Sequence, residues 1–187
     1  MIRGGLAEAP WLAGFEPADE KEHDDFERLS ALLTLAGDPF DRRSEIHLTG
    51  SALILHPPTR RVLLRWHTRQ HDWLQVGGHG DPGEEDPYAV ARREAAEETG
   101  LFDLVPFPAA ARPVVCHLVV VPVAGRGDEG PHEHLDVRYL LATSSPDAVR
   151  PESPTTPLRW SPIELAVELA SDNLAETMRR AMRHLPA

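Results

Sequence analysis

The stretch RREAAEETGL, residues 92–101, crowds three carboxylates, Glu94, Glu97 and Glu98, into five positions. Spacings of three and four bring side chains onto one helical face, so these acids stand together on a helix despite their repulsion. Two readings explain the crowding: a solvated acidic face, or a nest of hard oxygen ligands for Mg²⁺ or Mn²⁺. Just upstream, WLQVGGHGDPGEEDP (73–87) adds four glycines and two more glutamates, Glu84 and Glu85. Backbone N–H groups in its GGHGDPG loop, those of Gly77, Gly78 and His79 among them, can cradle a phosphate. These residue types suit metal-assisted chemistry on a phosphorylated compound.

A helix must hold the acids in that register. Asp86 suits an N-cap and Pro87 the first helical position, while Gly100 falls where a left-handed residue ends a helix. Tyr88, Ala91 and Ala95 share a mostly small face, able to lie close to a sheet, and the acids occupy another. Arg93 precedes Glu97 by four positions and can hold its carboxylate.

The flanks read as strands. SALILH (51–56) and RVLLRW (61–66) make a hairpin around PPT, and PVVCHLVVVPV (113–123) pairs with LDVRYLLAT (135–143) across the loop AGRGDEGPHE. PLRW is a last strand leading into SPIE, where Ser161 caps, Pro162 takes the first helical position and Glu164 completes a capping box. Helices are expected near 162–170 and 173–184. Within 18–36, Phe26, Leu29, Leu33 and Ala36 recur at helical spacing, giving an amphipathic helix for the core or for a homodimer contact.

Composition narrows the class. A chain of 187 residues supports one full core. With 19 basic and 30 acidic residues, the net charge of -11 argues against a nucleic-acid partner. A small phosphorylated substrate stays open, because divalent cations reverse the sign locally. The single cysteine, Cys116, has no internal disulfide partner and fits a reducing cytoplasm, as a small buried hydrophobe. MIRGGLAEAP lacks the apolar stretch of a signal peptide. PVVCHLVVVPVA, broken by His117 and Pro122, is too short to cross a bilayer, so no membrane partner is expected.

The central segment resembles the signature of the Nudix hydrolases. Gly78 and Glu84 match its first half, and Arg93, Glu94, Ala95, Glu97, Glu98, Gly100 and Leu101 match its second. Eight residues, one more than the pattern, separate Glu84 from Arg93. Taking Glu85 restores that spacing but lengthens the gap after Gly78, so either acid can fill the loop position. The resemblance implies an α/β fold, an α/β/α sandwich on a mixed sheet over 46–187, with residues 1–45 as an N-terminal helical extension. It implies hydrolysis of a diphosphate linkage in a nucleoside diphosphate derivative, with Mg²⁺ or Mn²⁺ as cofactor. Glu94, Glu97 and Glu98 become metal ligands, supported by Glu84 or Glu85. Arg93 orients them, and Gly77, Gly78 and His79 meet the substrate. The general base in this family often lies outside the signature. Glu129, Glu133 and His134 are on offer, with Glu133 preferred for its fixed place beside a strand and His134 next.

Other residues carry weaker signals. HEH (132–134) is a poor zinc motif in a loop without a third ligand. Trp73 can stack on a base but more often belongs to a core, and His117 reads as a satisfied core histidine. Two rival readings are a catalytically silent nucleotide-sensing module and an isomerase resembling isopentenyl diphosphate isomerase. The first would be expected to lose its Glu-Glu pair, which this chain keeps; the second needs a catalytic cysteine, for which only Cys116 is available. Family markers for ADP-ribose or dinucleoside polyphosphate substrates are missing where Cys116 stands, so the substrate stays open.

Overall fold

Residues 9–110, 112–125 and 130–186 are described by the computed structural model; residues 1–8 of the expected extension and Glu129 lie outside them. The centre is strand β1 (Ile46–His56), buried at every position but its two ends. A 3₁₀ turn at Pro57–Thr59 leads into β2 (Arg61–His67), which pairs antiparallel with Ile54 opposite Leu63. That is the hairpin expected around PPT. Short strands β3 (Asp72–Leu74) and β4 (Val76–His79) follow, and β4 lies along the first half of β1 with Thr49 opposite His79 and Gly50 opposite Gly78.

After helix α2 (Pro87–Thr99) and strand β5 (Val105–Pro106), strands β6 (Val115–Val123) and β7 (His132–Ala142) form the second antiparallel pair. β7 runs parallel to β1 with His47 beside His134, and β8 (Leu158–Pro162) adds to β2. Among the described residues this makes one mixed, eight-stranded sheet. Alternation along β1 sends Leu53 and Leu55 to one face and Leu48, Ala52 and Ile54 to the other. Helices α3 (Ile163–Leu169) and α4 (Asp172–Met182) pack on the first set, while α2 and α1 (Glu20–Thr34) cover the second. The expected α/β/α sandwich is found. Among the described residues, no helix is long and apolar enough to cross a membrane.

Helix α1 lies on the core by an unexpected means. Leu29 and Leu32 are buried, but so are Glu22 and Asp25. Their carboxylates accept from the backbone N–H groups of Leu118 (2.9 Å) and Val120 (3.1 Å), covering one edge of β6. Ala36 falls beyond the helix and is exposed, because the helix ends at Thr34. At the other end of the chain, Ser161 and Pro162 belong to β8 rather than to a capping box, and no side chain caps α3. Pairing with Arg61 and Val62 holds them in the sheet. His132, Glu133 and His134 likewise open strand β7 rather than ending a loop, since β6 pairs with all three and β1 with Glu133 and His134.

Candidate active site

Helix α2 forms where its caps predict. Asp86 accepts from Tyr88 N, Pro87 begins the helix, and Gly100 ends it with φ 68°. Ala91 and Ala95 are fully buried against the sheet, and Tyr88 meets Tyr139 edge to face. The close approach depends on Gly50 of β1: a Cβ there would lie 2.3 Å from Pro87 O. On the neighbouring strand β4, Gly78 permits a second close approach. A Cβ on it would meet the Glu94 carboxylate at 2.6 Å, so that carboxylate lies directly against bare backbone of the glycine loop.

Arg93 organises the acids. It donates to Glu84 through Nε (3.1 Å) and Nη2 (2.9 Å), and through Nη1 to Glu94 (2.9 Å) and Glu97 (3.1 Å). A further bond from Nη2 to His79 O (2.9 Å) ties helix to loop. Glu84 is the loop acid that Arg93 holds, while Glu85 is exposed. The Arg93 hydrogen bonds keep the Glu84 carboxyl below its ordinary range.

Glu98 behaves differently. It is 8% exposed, accepts from Gly77 N at 3.1 Å and faces the Arg65 guanidinium at 3.2 Å. Burial pushes its carboxyl up to about 7 despite Arg65, and Glu94 adds to the rise. Glu94 is raised too, by burial first and then by Glu97 and Asp81 against the pull of Arg93. Glu97 is exposed. Arg65 was not singled out in the sequence; the signal was an arginine set between Leu64 and Trp66 in the apolar run VLLRW.

The residues expected beside this helix divide. Gly77 and Gly78 abut Glu98 and Glu94. The His79 side chain points to the other face of the sheet, where burial pushes its imidazole down to about 3 and removes the charge a phosphate would seek. Glu133 is paired with Arg28 of α1, which lowers its pKa. His134 joins His47, His79 and His132, its Nε2 lying 3.1 Å from those of His79 and His132.

Three further expectations are settled by packing. Trp73 has the Arg159 guanidinium 4.4 Å over its ring and Trp66 5.5 Å away edge on, packing against the α3–α4 core. His117 is a core histidine, bonded to Thr177 Oγ1 at 2.9 Å. Burial pushes the Cys116 thiol up to about 12, which leaves almost no thiolate for an isomerase reaction.

The carboxylate set fits a hard divalent cation. Glu94 and Glu98 are largely withdrawn from water, and burial raises both carboxyls first. Glu97 and Asp81 add at Glu94 and Glu94 adds at Glu98, so a cation beside them would relieve the cost of their ionised forms. All offer oxygen, the donor Mg²⁺ and Mn²⁺ prefer.

A Nudix domain model matches residues 46–185. The chain is 30% identical over 110 residues to a probable DHNTP pyrophosphohydrolase of Lactococcus lactis subsp. cremoris (strain MG1363), a match covering 59% of this chain and 62% of that protein's length. The fold is similar to the C. elegans Ap4A hydrolase, at TM-score 0.54 and 20% identity over 73% of this chain and 96% of that one. It is also similar to the E. coli dihydroneopterin triphosphate pyrophosphohydrolase, at TM-score 0.56 and 18% identity over 73% and 95%. The family match takes in every strand and the whole glutamate helix, and the chain belongs to the Nudix family.

Proposed function

We propose that the chain is a pyrophosphohydrolase that cleaves a diphosphate linkage in a nucleoside diphosphate derivative. The observation that carries this is the pair of buried Glu98 and half-buried Glu94, both raised in pKa by burial and set against the bare backbone of Gly77 and Gly78. Glu94, Glu97 and Glu98 would hold Mg²⁺ or Mn²⁺, with Glu84 supporting them through Arg93. Such an ion supplies charge neutralisation at the diphosphate oxygens and lowers the pKa of bound water. Arg93 keeps the acids at fixed positions on a rigid helix, and Gly77 and Gly78 let the Glu98 and Glu94 carboxylates lie against β4 with no side chain between. The free, partly buried Cys116 agrees with a reducing compartment.

The test is turnover of a substrate panel by the full chain with Mg²⁺ or Mn²⁺, analysed for products. The relatives' names make dihydroneopterin triphosphate and Ap4A the first compounds to try, beside nucleotide sugars and dinucleotides. Cleavage into two phosphorylated products, abolished by chelation, is expected. Binding of a panel member without turnover would instead identify a sensing module.

A further inference from the structure

Four histidines meet on the sheet face opposite α2. Parallel register sets His47 of β1 beside His134 of β7, and the two-residue strand period puts His132 on the same face. His79 arrives from β4, on the other side of β1. Ring centroids stand 5.0 Å apart for His47 and His134, 5.3 Å for His47 and His132, and 4.7 Å for His79 and His134. The pair at 132 and 134 therefore has the third ligand that the bare HEH motif lacked.

Hydrogens are too few for these nitrogens. Nδ1 of His47 lies 3.1 Å from Ser44 O, and Nδ1 of His132 lies 3.0 Å from Gly130 O. A carbonyl only accepts, so both Nδ1 atoms carry hydrogen, and each ring in its neutral form presents a lone pair at Nε2. His134 Nε2 is 3.1 Å from Nε2 of His132 and 3.1 Å from Nε2 of His79. A single hydrogen on it serves one contact and leaves the other as nitrogen against nitrogen. Among the described residues, Nε2 of His47, on a fully buried residue, has no hydrogen-bond partner.

A cation satisfies this arrangement where protons do not. Tetrahedral Zn²⁺ with Zn–N near 2.0–2.1 Å sets its nitrogens about 3.3 Å apart, close to the 3.1 Å contacts already present. One ring nitrogen from each of His47, His132 and His134 lies within 4.8 Å of the other two. The Nδ1–H bonds to backbone carbonyls hold two of the rings as partners of metal-bound imidazoles commonly do. Nitrogen donors select a borderline transition metal rather than the Mg²⁺ suited to the glutamates. We propose that His47, His132 and His134 form a second metal site, for a divalent ion of the Zn²⁺ class, with the fourth position left to water or another donor.

The experiment titrates Zn²⁺, and Co²⁺ as a spectroscopic probe, into the metal-stripped full chain and follows bound metal, visible absorption and Tm. One equivalent should bind, Co²⁺ should show the strong visible bands of a tetrahedral nitrogen site, and Tm should rise. Losing even a residue that only orients a ligand costs about 10- to 100-fold in affinity, so His132→Asn and His134→Asn should each weaken Zn²⁺ binding by at least that much. His132 is half-exposed and its replacement is compatible with folding, which circular dichroism checks. Glu97→Gln and Glu98→Gln should keep the site intact. No Zn²⁺ uptake by the parent would overturn the proposal, as would unchanged affinity in His132→Asn or loss of the site in Glu98→Gln. None of these readouts uses turnover, so the diphosphate reading can fail while this one stands.

Discussion

The Arg93 guanidinium grips Glu84 with two hydrogen bonds, Nε to Oε1 at 3.1 Å and Nη2 to Oε2 at 2.9 Å, nine positions back along the chain. The same guanidinium reaches Glu94 and Glu97, so the loop acid and the helix acids share one clamp. Glu84→Gln should loosen Arg93 and lower kcat by roughly tenfold or more, while Glu85→Gln stays near the parent. Steady-state kinetics at saturating Mg²⁺ separates them, and equal effects would deny Arg93 its clamping role.

Replacing the helix acids tests the cation directly. Glu94→Gln, Glu97→Gln or Glu98→Gln should each cut kcat by a hundredfold or more, about 3 kcal/mol. Stability without metal should hold or improve for Glu94→Gln and Glu97→Gln, which remove an acid from a repelling set. Glu98→Gln also loses its buried ion pair with Arg65 and should be less stable. Mg²⁺ or Mn²⁺ should raise the parent's Tm and raise the variants' far less. A Glu98→Gln protein stabilised as strongly as the parent would remove Glu98 from the ligand set.

The place of Glu133 alters what its replacement should do. Its carboxylate is committed to Arg28 of α1, and the pair is partly exposed, worth no more than about 1 kcal/mol. Glu133→Gln should therefore leave kcat within a few fold and cost little stability. A large loss of kcat with metal binding intact, shrinking at high pH, would restore Glu133 as the general base.

How much of this was legible follows from the range of the forces involved. The helix and its acids could be read because capping by Asp86, the stop at Gly100 and the spacing of Glu94, Glu97 and Glu98 are local. Glu84 could not be separated from Glu85 by counting, because the choice rests on where Arg93 reaches in space. The histidine cluster was half visible: strand spacing puts His132 and His134 on one face, but His47 joins them only through parallel pairing of β1 with β7. The burial of Glu22 and Asp25 could not be read from α1 alone, because it rests on the uncovered N–H groups of β6 and, for Glu22, on Arg180 of α4.

Glu22 and Arg180 then become a stability test. Arg180 Nη1 donates to both Glu22 oxygens at 2.7 and 2.8 Å, joining α1 to α4 with both residues buried. Arg180→Ala strands the buried Glu22 carboxylate and should cost about 3–5 kcal/mol, while Glu22→Ala leaves Arg180 its bonds to Glu176 and Asp19 and should cost less. Changing both together should cost clearly less than the sum, because the second change removes the stranded charge. Urea unfolding of the double-mutant cycle measures it. Additive losses would mean that the two side chains act independently.

Acid should weaken the fold through its buried histidines. Burial first, with Arg138 and Arg180 adding, pushes the His117 imidazole down from 6.5 to about 3. Between those values the unfolded chain binds a proton that the folded chain refuses. Its contribution to stability is therefore complete above the unfolded value and is lost as pH falls, by up to about 1.4 kcal/mol per pH unit. His47, His67 and His79 shift in the same direction, so the parent should weaken steeply below neutrality. His117→Gln removes one of these protons and leaves the rest. Between about pH 7.5 and about pH 5 the parent should lose about 2 kcal/mol more than the variant. Denaturant unfolding of both proteins at the two pH values reads the difference. Equal losses would mean that His117 takes its proton in the folded protein, with the Thr177 contact rearranged to accept it.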